Sequence, residues 1–263
     1  MARRLGRRAV IVAGLTAGAI GWTELVWPKL AALIAPDLAF APIPTAPGFR
    51  RMTRSGSTSN GLGDPFVGVT IPSSGKPQPV AIPGRINAPC DALFGPARPK
   101  RVPIAVFTDF NCPYCRVLDA RLFELAGARA NEVSLKVHQL PLLGQESVWA
   151  ARGALAAGQQ DAYIPFHKRL MTAAFAIDPD YLRLVARNLS LDEDQLMQDA
   201  LGPEVDQEIA ISQLLAQRLG VFGTPGLVVG RTLALGNISD NTLDQLIAIE
   251  AAETTDLPCR ALS

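Results

Sequence analysis

The chain is poor in the side chains that usually bind metals. Its 263 residues include two histidines, His138 and His167, and four cysteines, of which only Cys112 and Cys115 form a CxxC pair. A structural zinc site usually takes four ligands, often from two such pairs, and neither histidine is spaced like a ligand. The composition therefore weighs against a metal centre, and we expect none.

The chain also lacks an excess of charge. Its formal net charge is +1, so the chain as a whole does not have the positive charge that is typical of nucleic-acid-binding proteins. Basic residues are nevertheless concentrated at the start, where four arginines precede an apolar, charge-free run at 9–22 and no acidic residue comes before Glu24. A basic head followed by such a run is typical of an export signal.

Extending this apolar run to Trp27 gives about the minimum length of a membrane-spanning helix. We therefore expect residues 1–40 to be a signal peptide or a membrane anchor, with about 9–27 in contact with the membrane. A buried first helix of the folded domain is the alternative. Either export reading places the folded part in the periplasm.

Residues 41–101 are rich in residues that oppose regular structure. Eleven prolines and eight glycines fall between positions 41 and 100. Proline removes backbone donors and glycine adds chain entropy, so a regular packed layer is not expected. The segment predicts an extension or linker, with short extended pieces at 66–71 and 80–83.

From Val102 the sequence becomes typical of a globular domain. VPIAVFTDF predicts a buried strand, and leucines at helical spacing after Pro113 predict a helix that opens near Cys112. VSLKVHQL at 133–140 predicts a second strand. The order strand, helix, strand is that of a parallel βαβ unit.

The remainder predicts helices followed by a hairpin. Helical patterns lie at 149–157, 167–175, 181–188 and 204–219. GLVVGRTLAL at 226–235 predicts a hairpin that turns at Gly230 and Arg231, and Ser239 can cap a last helix.

The pair Cys112 and Cys115 is open to three interpretations. A metal site lacks further ligands, and a structural bridge across three residues would restrict the unfolded chain little. A redox pair explains more features. At a strand–helix junction the helix dipole stabilises the Cys112 thiolate, and Cys115 returns one turn later to resolve a mixed disulfide. Such a pair needs no cofactor, because the electrons reside in the two sulfurs.

FTDFNCPYCR at 107–116 resembles the active site of the thioredoxin superfamily, in particular its DsbA-like branch. GVFGTPGLVVG at 220–230 resembles the cis-proline loop of that family, which faces the CxxC pair. The resemblance implies an α/β fold: a thioredoxin fold over 102–252, with an inserted helical domain at about 142–219 and a tail at 253–263.

The resemblance also implies roles for individual residues. Cys112 and Cys115 would be catalytic, with Pro113 and Tyr114 in the active-site loop. Thr224 would present its backbone to the substrate chain, next to a cis Pro225.

Two departures from the family affect the expected strength of the oxidant. The best-known periplasmic oxidase has histidine at the position of Tyr114 and valine at that of Thr224. A nearby imidazolium stabilises a thiolate more than a neutral tyrosine does. We therefore expect a weaker oxidant than the strongest members.

Residues beside these two motifs have open roles. Asp109 either accepts protons during exchange or is a loop residue without a catalytic part. Phe110 and Phe222 either line an apolar groove for substrate or pack in the core.

The other two cysteines, Cys90 and Cys259, are candidates for a structural disulfide that ties the extension to the C-terminal end. An oxidising compartment favours such a bridge. Free thiols or a bridge between molecules are the alternatives.

The sequence thus predicts a periplasmic thiol–disulfide oxidoreductase that exchanges disulfides with cysteine-containing exported proteins and is reset by a membrane redox partner. One alternative is a reductase or isomerase that keeps thiols reduced, for example in cytochrome or copper-site assembly. Another is a non-enzymatic module that binds metal or substrate.

Overall fold

The computed structural model of the protein describes residues 38–54, 56–59, 86, 88–98, 100–174, 176–253 and 257–262. The predicted membrane segment at 9–27 and the extended pieces predicted at 66–71 and 80–83 lie outside these residues. None of the helices in the described ranges combines the length and the apolar character needed to cross a bilayer.

In the described part of the chain, helices flank a six-stranded sheet. In chain order the elements are β1 (Phe40–Pro42), β2 (Arg50–Met52), α1 (Pro89–Phe94), β3 (Val102–Thr108), α2 (Pro113–Ala128), β4 (Val133–Gln139), α3 (Gln145–Gln159), α4 (Tyr163–Met171), α5 (Pro179–Asn188), α6 (Glu193–Ala200), α7 (Pro203–Leu219), β5 (Gly226–Val229), β6 (Thr232–Leu235), α8 (Asp240–Glu253) and a 3₁₀ turn (Cys259–Leu262). The strand order across the sheet is β1-β2-β6-β5-β3-β4. The predicted α/β class is confirmed.

The predicted βαβ unit forms one side of this sheet, with β4 as the edge strand. β3 and β4 pair in parallel over their whole length, ending with Thr108 opposite Gln139, and α2 connects them. β3 also pairs with β5 in the antiparallel sense, with Phe107 opposite Gly226. The chain therefore leaves β3 and enters β5 at the same end of the sheet, which brings the segments after Thr108 and before Gly226 together.

β5 and β6 form the predicted hairpin. Val229 lies opposite Thr232, so Gly230 and Arg231 make the turn. Gly230 has φ +53, and a Cβ at this position would lie 2.2 Å from the carboxylate of Glu250. That buried carboxylate accepts a hydrogen bond from the backbone N–H of Arg231 at 2.9 Å. The turn is thus fastened to α8.

Helices α3 to α7 fill the interval between β4 and β5, as predicted for about 142–219. One helix has other boundaries than its sequence pattern, and one helix, α6, was not predicted. The helix expected at 167–175 ends at Met171, where the hydroxyl of Thr172 bonds to backbone carbonyls of the last turn. α6 follows Asp192, whose carboxylate accepts the first backbone N–H groups of the helix, as an N-cap does.

The structure differs from the irregular spacer expected at 41–101 in the part of that segment it describes. β1 and β2 pair with each other, and β2 runs parallel to β6 with Arg50 opposite Thr232. Ile43 and Phe49, between the two strands, are buried in the core. The prolines stand at the end of β1 and in the turn, where no ladder donor is needed, so they do not prevent the strands from joining the sheet.

A disulfide joins residues 88–98 of this extension to the C-terminal end. Cys90 in α1 and Cys259 in the 3₁₀ turn are bonded at 2.13 Å, with their Cα atoms 5.1 Å apart. Leu262, in the expected tail, is fully buried. The compact unit accordingly begins at Phe40 rather than at Val102, because the extension supplies strands, core residues and a covalent tie.

Candidate active site

Cys112 lies at the N-terminal end of α2 as its N-cap residue, with extended backbone angles φ −82 and ψ 116. Pro113 takes the first helical position, where a backbone donor has no helical partner. The Sγ atom of Cys112 accepts the backbone N–H of Cys115 at 3.4 Å. A negative charge on this sulfur therefore meets free N–H groups and the positive end of the helix dipole.

The proline loop faces this sulfur. The Thr224–Pro225 peptide bond is cis, and the Sγ of Cys112 lies 3.3 Å from the backbone oxygen of Thr224. The two segments are far apart in sequence and meet because β3 ends where β5 begins. The structure thus brings together the CPYC turn and the Thr-Pro loop, which the sequence singled out separately.

The two sulfurs of the CPYC turn have opposite acidities. Both are free thiols without exposed surface. A hydrogen bond from Cys115 lowers the pKa of Cys112 to about 6, against the opposing effect of burial and with further hydrogen bonds from Ser59 and Thr224. Burial, followed by the hydrogen bond to Cys112 and the charge of Asp119, raises the pKa of Cys115 above its usual range. Near neutral pH Cys112 is a thiolate and Cys115 is a thiol.

A buried carboxylate lies below Cys115. Oδ2 of Asp119, one helical turn further along α2, accepts the hydroxyl of Thr108 at 2.7 Å and lies 3.0 Å from Nε2 of His167. The Thr108 hydroxyl is also within hydrogen-bonding reach of Cys115. Among the described residues, Oδ1 of Asp119 has no hydrogen-bond partner. The hydroxyl of Thr108 thus lies between the buried thiol and a buried carboxylate.

Sequence reasoning missed this carboxylate and considered Asp109 instead. The spacing of four between Cys115 and Asp119 puts both on one helix face and is the signal that could have found it. Asp109 is also buried, but it accepts the backbone N–H groups of Leu142 and Leu143 and the hydroxyl of Ser147. It also accepts the backbone N–H of Asn111 at 2.8 Å. Its side chain therefore joins the turn before Cys112 to the loop before α3 and bonds to neither sulfur.

Aromatic surface is exposed on both loops that meet at Cys112. Tyr114 is 37% exposed and Phe222 is 57% exposed. Phe110 is fully buried and packs its ring 4.8 Å from that of His167. Of the two phenylalanines considered for a groove, only Phe222 lies at the surface.

Residues 56–59, which we name the cover segment, lie beside the proline loop. The N–H of Ser59 donates to the backbone oxygen of Thr224 at 2.7 Å, and the N–H of Thr224 donates back at 2.8 Å, an antiparallel bridge. The side chain of Ser59 hydrogen-bonds to Cys112. The sequence assigned this stretch to a spacer and contained no signal for its position.

Within the described residues, no cluster of histidine, cysteine and acidic side chains is suited to a metal ion. His138 is buried, with its ring nitrogens 2.8 Å from the backbone oxygen of Leu93 and 3.1 Å from the hydroxyl of Ser212. Burial lowers the pKa of His138 to about 4. Both histidines are packing residues with hydrogen-bond partners.

Comparison with known sequences identifies a family. The family model described as DSBA-like thioredoxin domain matches residues 103–248, which is more than half of the chain. A comparison with curated proteins finds no match.

Solved structures share the fold. A thioredoxin-like oxidoreductase from Silicibacter pomeroyi DSS-3 is 36% identical, with a TM-score of 0.56, over 64% of this chain and 100% of that chain. A periplasmic thioredoxin-like protein from Salmonella enterica serovar Typhimurium is 26% identical, with a TM-score of 0.51, over 64% and 99%. The thiol-disulfide exchange protein alpha-DsbA2 from Wolbachia pipientis is 24% identical, with a TM-score of 0.55, over 61% and 90%.

The matched region includes both the cysteine turn and the proline loop that faces it. We therefore conclude that the chain belongs to the DSBA-like thioredoxin domain family and is a thiol–disulfide oxidoreductase.

Proposed function

We propose that the protein donates disulfides to cysteine-containing exported proteins in the periplasm through Cys112 and Cys115. The observation that carries this proposal is the stabilised thiolate of Cys112, which caps α2 and has a pKa lowered to about 6, chiefly by the hydrogen bond from Cys115. A stabilised thiolate favours the reduced pair. The oxidised pair therefore tends to pass its disulfide on.

The exchange proceeds in two displacements. A client thiolate attacks Sγ of Cys112 in the oxidised protein, so that a client–Cys112 disulfide forms while the Cys112–Cys115 bond breaks and Cys115 leaves with the electron pair. A second client thiolate then attacks the client sulfur of this mixed disulfide and releases Cys112 as a thiolate. Two client thiols have been oxidised, and the pair holds the two electrons.

The proton for the leaving sulfur comes from the buried group below it. Cys115 leaves as a thiolate into surroundings that raise its pKa, so it takes up a proton. The hydroxyl of Thr108, which donates to Asp119 at 2.7 Å and reaches Cys115, lies on the route of that proton. In the reverse direction the same route removes the proton from Cys115.

The client binds beside the proline loop. Thr224 presents its backbone N–H and oxygen next to Cys112, and the cis Pro225 holds that loop in place. Tyr114 and Phe222 expose aromatic surface on the two loops, which suits apolar side chains of an unfolded client. Pro113 stiffens the turn that carries the sulfurs.

The protein acts in the periplasm, and a membrane partner re-oxidises its cysteine pair. Residues 1–40 export the chain and about 9–27 anchor it, so a membrane redox partner can take the two electrons from the reduced pair. The similarity to a periplasmic thioredoxin-like protein from Salmonella supports this compartment. The Cys90–Cys259 disulfide also supports it, because such bonds are typical of oxidising compartments. Cell fractionation and protease accessibility of the full chain test it.

The direction of exchange is tested by the reduction potential. The pair is equilibrated in glutathione buffers and the free thiols are counted. We expect a potential between about −200 and −120 mV, above that of glutaredoxins and below that of the strongest oxidases. A potential below about −250 mV would instead assign the same residues to a reductase. Oxidation of a reduced two-cysteine peptide, with Cys112→Ser as the control, measures the activity itself.

A further inference from the structure

The cover segment, residues 56–59, continues the path of β2 beyond the end of β6. Its first residue donates its N–H to the oxygen of Leu235 at 2.6 Å, and Asn237 donates to the oxygen of Ser57 at 3.1 Å. The reciprocal bonds between Ser59 and Thr224 follow. The segment therefore pairs as a short strand across the open end of the β5–β6 hairpin, where β5 begins and β6 ends.

This strand lies against the reactive sulfur, which is buried. Cys112 has no exposed surface, although an exchange reaction requires another sulfur to reach its Sγ atom. Ser59 bonds to the backbone of Thr224 and through its side chain to Cys112. A client cysteine in a mixed disulfide with Cys112, with its backbone paired to Thr224, would occupy the position that Ser59 occupies here.

We propose that the cover segment occupies the position at which a client strand binds. A client must displace the cover segment before it can reach Cys112. This inference rests on the proposed function. The partner it predicts is an extended polypeptide segment that adds as an antiparallel strand, with its cysteine at the place of Ser59 and a small or outward-facing residue at the place of Ser57.

The composition of the cover segment suits displacement. Its residues are one glycine, two serines and one threonine, so no apolar side chain anchors it. Its backbone hydrogen bonds are the kind that a client strand can replace one for one. Gly56 sits closely against the hairpin, because a Cβ there would lie 2.4 Å from the backbone oxygen of Asn237.

The first experiment dislodges the segment and measures the reactivity of Cys112. Gly56→Ala introduces the clash with Asn237, and Ser59→Pro removes the N–H that binds Thr224. Gly127→Ala is the matched control, because no atom lies within 4 Å of the added Cβ. Reduced full-length proteins are alkylated with iodoacetamide at pH 8, and the modification of Cys112 is followed by mass spectrometry.

We expect both cover-segment variants to react at least tenfold faster than the wild-type protein, and Gly127→Ala to match the wild type. Rates within twofold of the wild type for both variants would overturn the proposal. Thermal melting and mapping of the Cys90–Cys259 disulfide verify that each protein is folded.

A second experiment leaves the segment in place and traps it. In Ser59→Cys/Cys115→Ser, diamide accepts the two electrons and two protons as a disulfide forms between positions 59 and 112. Ser57→Cys/Cys115→Ser is the matched control, since Ser57 faces solvent two residues away. Most molecules of the first protein and few of the second should carry the intramolecular bond. Equal yields, or none in the first, would refute the placement.

Neither readout needs a client or turnover. If the wild-type protein failed to oxidise a peptide while dislodging the segment still accelerated alkylation, the proposed function would fail and the concealment of Cys112 would stand. If the peptide were oxidised and alkylation did not change, the reverse would hold.

Discussion

The chain contains two cysteine pairs with different roles, one reactive and one structural. Cys112 and Cys115 are three residues apart and remain free thiols at the start of α2. Cys90 and Cys259 are 169 residues apart and form a disulfide between α1 and the C-terminal turn. The difference in reactivity arises from what surrounds each sulfur.

The reactive pair has what the structural pair lacks. Hydrogen bonds, chiefly from Cys115, and the start of α2 stabilise a thiolate at Cys112, and a buried carboxylate lies near Cys115. Burial does not separate the two pairs, because Cys112, Cys115 and Cys259 all lie among apolar core residues. Reactivity therefore follows from polar groups aimed at the sulfur, and stability follows from the length of chain that a disulfide closes.

The largest expected effect comes from removing the nucleophile. Cys112→Ser should lower the rate of peptide oxidation by at least about 1000-fold, because the hydroxyl that replaces the thiolate cannot form the mixed disulfide. At pH 5, where Cys112 of the wild type is protonated, its melting temperature in the reduced state should stay close to that of the wild type. Substantial exchange activity in this variant would contradict the assignment of Cys112 as the nucleophile.

Removing the structural pair should have the opposite outcome. The change Cys90→Ala/Cys259→Ala opens a long loop, so we expect the free energy of unfolding to fall by about 2 to 5 kcal/mol. At a temperature where this variant is folded, its rate of peptide oxidation should stay within a fewfold of the wild type. Urea unfolding of both proteins measures the first quantity, and a large loss of activity in the folded variant would contradict the second.

The pH dependence of stability should distinguish the pairs in the reduced protein. Because the folded-state pKa of Cys112 is lowered from 9.0 to about 6, chiefly by the hydrogen bond from Cys115, its thiolate contributes stability that is complete above about pH 9 and is lost as the pH falls through 6. Between pH 5 and pH 8 this amounts to about 2 to 3 kcal/mol. The gain should disappear in Cys112→Ser and in the oxidised protein. An equal slope in all three would show that other groups cause it.

The smallest effect concerns the proton route. Asp119→Asn should slow peptide oxidation about tenfold near neutral pH, since Cys115 then lacks a nearby proton donor and acceptor. The reverse reaction, measured with a disulfide substrate, should recover as the pH rises, because hydroxide can deprotonate Cys115.

Asp109→Asn is the matched control for that change. It alters an equally buried carboxylate that bonds to Leu142, Leu143 and Ser147. We expect it to lower the free energy of unfolding by about 1 to 3 kcal/mol and to leave the pH profile of exchange unchanged. Identical profiles for the two variants would remove Asp119 from the mechanism.

The sequence predicted those parts of the molecule whose signals are local. The apolar run before Cys112, the leucine spacing after it and the glycine turn at Gly230 each report on a few neighbouring residues, and each element appears in the structure. The CPYC turn and the Thr-Pro loop were recognisable for the same reason. Their resemblance to one family also predicted that they meet.

The missed parts depend on contacts between distant segments. β1 and β2 are three residues long and acquire their structure by pairing with each other and with β6, so no periodic pattern announces them. The cover segment is polar and has no periodicity, and its position follows from backbone bonds to Thr224. Asp119 lies on a predicted helix, but its role depends on Thr108 and His167.

The short hairpin of β1 and β2 has a consequence for the protein at high concentration. It covers the open side of β6 and leaves β1 as the outer strand. That strand ends in Pro42, which has no N–H to donate, and the guanidinium of Arg50 lies over the ring of Phe40 at 4.3 Å. Such a boundary is a poor template for strands of neighbouring molecules, so the fold is guarded on this side against edge-to-edge aggregation.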